Sequence, residues 1–203
     1  FKLIYDEENY LIPLFAAKKW DFKSNELSLN QNIFDYKTKS WVRSPPKNLQ
    51  SKPSIQEAHR KFLEHISISK NNESGVIVIS AAHISPYVTK KWVEDIISEI
   101  NLLSKRDAIV SANQSIEYLS AELAKSNLND LNTSLSNLIE SNYKTISIAE
   151  SSPEFLFKVL DPAYASDIKV SPTRSLIVFL FALSGFFLSI IFSIYTGFSQ
   201  NKY

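Results

Sequence analysis

The chain has 203 residues, with 22 Lys or Arg against 21 Asp or Glu, a net charge of +1, and neither cysteine nor methionine. That balance leaves no electrostatic footprint for nucleic acid, and the basic pairs Lys18-Lys19, Lys90-Lys91 and Lys105-Arg106 are scattered enough to be solvated surface. The missing cysteines exclude a disulfide, a thiolate metal site and a cysteine nucleophile. The missing methionine leads us to expect further sequence upstream of Phe1.

Residues 1–44 are rich in aromatics and acids with few regular periods, and within them 20–42 read as short extended pieces broken by Asn and Asp turns. A stiff polar connector follows, from Ser44-Pro45-Pro46 to Lys52-Pro53. Ser54 and Glu57 then have the spacing of a capping box, and Ile55, Ala58, Phe62 and Ile66 recur at helical intervals, predicting a helix over 54–65. Alternation in Ile66-Ser67-Ile68-Ser69, a turn-forming run ending at Gly75, and the β-branched stretch 76–80 predict a hairpin.

Ser85-Pro86 starts the longest element, with an N-cap serine and a proline at the first helical position. The apolar spacing from Val93 to Leu123 predicts one helix over 86–125, roughly 60 Å long at 1.5 Å per residue. After the cap-type residues 126–130, a second helix is expected to about Ala149. Together they form a long antiparallel helical hairpin, an arm too long for one compact domain of this size. Each helix buries only one face, so the arms are expected to pack side by side in a homo-oligomeric ring.

Alternation over 155–160 predicts a strand that returns to the sheet. Residues 176–195 run without a charge and contain only Ser184, Ser189 and Ser193 as polar residues, which predicts a transmembrane helix. The expected fold class is therefore α+β. A small membrane-proximal mixed sheet with helices carries the projecting arm (about 86–149) in residues 1–170. A C-terminal transmembrane helix and short tail occupy 171–203.

Catalytic and metal chemistry finds few candidates. His59, His65 and His83 lack metal-ligand spacing, and Gly75, Gly185 and Gly197 are too dispersed for a phosphate loop. The expected catalytic, cofactor and metal sites are accordingly none. Trp20 and Trp41 are candidates for stacking on a glycan, whereas Trp92, in the first turns of the long helix, is assigned to core packing.

Three stretches carry a family resemblance: SGVIVISAAHISPYVTKKWVEDIISEIN at 74–101, FLFKVLDPAYASD at 155–167, and the segment beginning at Ser171. They resemble the polysaccharide co-polymerases, the bacterial O-antigen chain length determinants. In that family the last segment reads Ser-Pro-Lys, eleven residues, Gly, three residues, Gly. Here Ser171-Pro172-Thr173 is followed at that spacing by Gly185 and Ser189, with Thr173 in place of the lysine, Ser189 in place of the second glycine, and Arg174 able to supply the charge. The resemblance implies that these six residues pack transmembrane helices, or that Ser171, Pro172, Gly185 and Ser189 touch the polymerase. It also implies a first membrane helix upstream, and an inner-membrane protein with residues 1–170 in the periplasm. The implied function is non-enzymatic: a ring-shaped homo-oligomer sets the modal length of O-antigen during lipopolysaccharide biosynthesis. Its partners would be the membrane, the O-antigen polymerase and the growing lipid-linked polysaccharide. Lys158, Lys169 and Arg174 before the apolar run, against Lys202 after it, would alone favour the opposite orientation. One alternative is a component of a capsule or exopolysaccharide export complex working with a separate tyrosine kinase. Another is a tail-anchored cytoplasmic coiled-coil tether.

Overall fold

The computed structural model describes residues 2–45, 49–166 and 177–189. The chain forms two units, Phe1–Ala165 and Ser166–Tyr203. The first opens with a 3₁₀ turn, Lys2–Tyr5, and a wide helical turn, Glu7–Leu11, that runs into the short helix α1, Ile12–Ala16. Asp6 caps the wide turn by accepting from the Asn9 backbone N–H.

Two small hairpins follow: β1 (Ala17–Asp21) with β2 (Glu26–Leu29), and β3 (Phe34–Asp35) with β4 (Ser40–Trp41). Asp21 and Asp35 turn them by accepting from the backbone N–H two residues on, and Asn25 and Lys39 take the left-handed conformation that closes each loop. The expectation of short extended pieces broken by Asn and Asp is met here.

Helix α2 (Ile55–His65) has the predicted capping box, with Ser54 and Glu57 each reaching the other's backbone N–H. Glu57 also takes a two-pronged ion pair from Arg43, at 2.7 and 2.8 Å, with both side chains largely buried. This fastens the irregular segment after β4 to the start of α2. At His65 the helix passes directly into β5 (Ile66–Lys70), which pairs antiparallel with β6 (Ile77–Ala81) in the register Ile66↔Ala81 to Lys70↔Ile77. Gly75, at φ +70°, makes the turn while Asn71 accepts from the Glu73 and Ser74 N–H groups.

The two long helices are α3 (Pro86–Lys125) and α4 (Asn129–Ser151), packed against each other along the arm as predicted. The less exposed residues of α4 recur at alternating intervals of three and four: Asn132, Leu135, Ile139, Asn142, Ile146 and Ala149. On α3 the corresponding seam includes Asn101, Ala108, Ala112 and Leu119. That is the heptad spacing of an antiparallel coiled coil, with small residues letting the helices approach.

Two expectations are corrected. The small mixed sheet is instead three separate two-stranded antiparallel sheets, and residues 155–160 form no strand among the described residues. The backbone of Leu156 and Phe157 is held by a side chain on α3 rather than by a neighbouring strand. The expected transmembrane helix at 176–195 is corrected as well. The described residues there, 177–189, are helical. Among the described residues no helix is long and apolar enough to cross a membrane, so none supports an inner-membrane location. The rest of the expected span, 176 and 190–195, lies outside the described residues.

Arg43 holds the Glu57 carboxyl below the ordinary glutamate range, with burial opposing it and the Ser54 backbone N–H assisting. A depressed folded value means that the stabilisation is complete above the unfolded value and is lost as pH falls through the folded one. Glu57→Gln keeps the cap but leaves Arg43 unpaired, and should destabilise the protein by about 1–3 kcal/mol near neutrality. Urea unfolding should show that gap closing below roughly pH 4.

Candidate functional site

The first turns of α3 enter the hydrophobic core cluster through Trp92. Trp92 is fully buried, stacked on Tyr10 at 5.9 Å and met edge-on by Phe62 at 5.1 Å. Its indole N–H donates to the Asn9 carbonyl at 3.1 Å, and the Tyr10 hydroxyl donates to Asp95, one turn further along α3, at 2.8 Å. Burial first, and then Asp95, raises the Tyr10 pKa well above the ordinary phenol, so the ring stays a donor. The helical spacing of α2 brings Ala58 and Phe62 to this cluster, and the N-terminal turns bring Ile4, Leu11 and Leu14. Trp92 is a core residue, as its position on the helix predicted.

Further along the arm, Asn101 is buried at 5 % exposure on the α4-facing side of α3. Its Oδ1 accepts from the Leu156 and Phe157 backbone N–H groups, both at 2.8 Å, while its Nδ2 donates to the Phe157 carbonyl at 3.0 Å. One amide side chain thus does for the chain leaving α4 what a neighbouring strand would have done. Lys105, a turn further on, donates to the Glu150 carbonyl at 3.1 Å, satisfying an acceptor at the end of α4.

The outer surface of the arm keeps apolar side chains exposed. Leu103 and Val110 lie seven apart on α3, and Leu131 and Leu138 lie seven apart on α4, with exposures between 37 % and 52 %. Seven residues are two helical turns, so each pair forms a stripe. Ion pairs such as Lys125–Glu122 and Lys144–Glu140 are solvent-facing and contribute little to stability.

The two tryptophans proposed for glycan contact are not brought to one site. Trp41 is wedged between Phe34 at 5.1 Å and Phe15 at 6.3 Å, and its indole N–H donates to Glu7. Those contacts make it part of the hydrophobic interior's edge. Trp20 lies against Tyr87 at 5.5 Å and Phe22 at 6.4 Å, both of which are exposed. Its indole N–H is buried without an acceptor among the described residues. On the same hairpin a shallow hollow of about 430 Å³ is lined by Lys18, Lys19, Ser28, Asn30, Gln31 and Asn32. None of the three rings lines that hollow, so the hairpin carries an aromatic patch and, separately, a set of amide and ammonium donors.

Gly185 and Ser189 lie on the helix 177–189, and a Cβ at Gly185 would meet nothing within 4 Å. Ser171, Pro172, Thr173 and Arg174 lie outside the described residues. Among the described residues, no group of three or more His, Asp or Glu side chains could hold a metal ion. Sequence reading missed Asn101, whose only signal was a polar residue at a buried heptad position. It also missed the pairing of His65 with His83, which meet only because β5 and β6 pair.

The chain matches no family model and no curated protein.

Asn101→Ala would leave two backbone N–H groups and one carbonyl without partners in a partly buried place. The expected loss is about 2–4 kcal/mol in urea unfolding, with faster hydrogen exchange at Leu156 and Phe157. Asn101→Asp, which keeps the acceptor and loses the donor, should fall between wild type and alanine.

Proposed function

We propose that the chain is a non-enzymatic regulator of polysaccharide chain length. It acts as a homo-oligomeric scaffold that sets the modal length of O-antigen made by a membrane polymerase during lipopolysaccharide biosynthesis. The observation that carries this reading is the arm: a long coiled coil whose outward apolar stripes, Leu103 with Val110 and Leu131 with Leu138, have a spacing suited to another helix. The resemblance in 74–101 and 155–167 supplies the functional class. In the structure these stretches form β6 with the root of α3, and the segment anchored by Asn101.

In this reading residues 1–170 stand in the periplasm at the inner membrane, beside the polymerase and its growing lipid-linked glycan. Copies meet along their arms, and the repeated surface, rather than any reacting group, governs how long the polymer stays engaged. Trp20, with the exposed rings of Phe22 and Tyr87 and the polar hollow on the same hairpin, is the place for a sugar ring to rest. Gly185 and Ser189 are small residues that permit close approach of another helix.

The test uses the full chain with a charge placed in the stripe. Val110→Glu should convert the oligomer to smaller species in light scattering after gel filtration, while circular dichroism stays helical. Cells carrying it in place of the wild type should lose the narrow band of O-antigen lengths on a lipopolysaccharide gel. A dispersed oligomer with an unchanged ladder would separate assembly from length control and sink the proposal.

A further inference from the structure

Two histidines sit where the arm joins the base, and neither belongs to the assembly surface. The His83 ring bridges two backbones. Its Nδ1 accepts from the Ser85 N–H at 3.1 Å, and its Nε2 lies 3.1 Å from the Pro13 carbonyl, which only an N–H can satisfy. These two bonds require a neutral ring with its proton on Nε2. Ser85 is the N-cap of α3 and is 1 % exposed, so its backbone has little access to a replacement acceptor from solvent. The His65 ring is 6.3 Å from that of His83, and its Nδ1 lies 2.6 Å from the Ala82 carbonyl. Both rings lie against Trp92, His65 at 6.0 Å and His83 at 5.3 Å.

We propose that His83, paired with His65, is an acid-sensitive latch at the root of the arm. The neutral ring ties α1 to the first turn of α3, and the protonated ring lets go of that turn. The chemistry is direct. A second proton must go to Nδ1, which then points an N–H at the Ser85 N–H, so the bond reverses from attraction to repulsion.

The surroundings reinforce this. Burial acts most strongly on His83, and with His65 and Lys61 it holds the ring below the ordinary histidine range, while the Pro13 carbonyl opposes the shift. Among the described residues, His65 and Lys61 come from α2, α1 contributes the Pro13 carbonyl, and the start of α3 contributes Ser85 and Trp92. The carboxylates on adjoining elements are engaged elsewhere: Glu64 acts on Lys61, and Asp95 is bound by Tyr10 and Lys91. With its folded value depressed, His83 takes up its proton more readily in the unfolded chain. Stability therefore falls as pH drops from the ordinary value of 6.5 towards the folded one.

This inference stands apart from the polysaccharide reading, and its failure would leave that reading intact. The test follows the full chain in mild detergent by NMR and thermal unfolding from about pH 7.5 down to about pH 5. In the wild type, the His83 ring should titrate below ordinary histidine, together with displacement of the Ser85 and Val88 amide signals and a fall in Tm. His83→Asn keeps an acceptor near the Nδ1 position without titrating, and should remove at least about half of the acid-induced fall in Tm. His65→Gln removes the neighbouring imidazole that helps to lower His83, and should move the His83 midpoint upward. A His83 ring that protonates at the ordinary value with the Ser85 amide unmoved would overturn the latch, as would a His83→Asn variant that follows the wild-type profile. If His83→Asn does not fold, an unmoved midpoint in His65→Gln is equally decisive.

Discussion

Burial of the Trp92 indole is the constraint on which the rest of the folded unit depends. One ring on the second turn of α3 is covered by Tyr10 from the N-terminal turns, Phe62 from α2, and the two histidines that flank the β5–β6 hairpin. Elements distant in sequence therefore share one apolar object. Removing an indole of that size from water contributes about 4–6 kcal/mol as an upper bound. The polar ends are satisfied as well, since Trp92 donates to Asn9 and Tyr10 donates to Asp95. An aromatic cluster with satisfied donors sets orientation as well as stability, and so fixes the direction in which α3 leaves the base.

The arm is built on a different principle. Its seam mixes apolar residues with alanine, serine and asparagine, so the helices approach closely but bury modest apolar area. Polar anchoring compensates at its lower end, where Asn101 and Lys105 bind the chain as it leaves α4. The apolar residues absent from the seam appear on the outside, as Leu103, Val110, Leu131 and Leu138. A hairpin with a lean interior and apolar outer stripes is suited to standing among copies of itself, and that links the packing to the proposed length control.

Much of this was legible in the chain because it rests on local signals. The Ser54–Glu57 capping box, the Ser85-Pro86 start, the turn at Gly75 and the apolar spacing of three and four each act over a few residues. Less legible was anything requiring a choice between partners. The alternation at 155–160 has the period of a strand, but a strand also needs a free edge beside it, and Asn101 occupies the backbone of Leu156 and Phe157. Apolarity over 176–195 is a property of composition, whereas spanning a bilayer depends on continuous helical length, and the described helix covers 177–189. Trp20 and Trp41 looked equivalent as sequence. Packing separated them, leaving one against exposed rings and the other tied to Glu7.

Sequence alone determined α2 and the start of α3 with their N-caps, the turn at Gly75 and the presence of a long arm, because backbone preference and hydrophobic period act between near neighbours. Tertiary structure decided which side chains became the root of that arm. Tyr10 and Trp92, Asn101 and Phe157, and His83 and Pro13 are separated by between 56 and 82 residues, and only folding brings them into contact. No local pattern encodes such a pairing, since each residue's preference is the same whether or not its partner arrives.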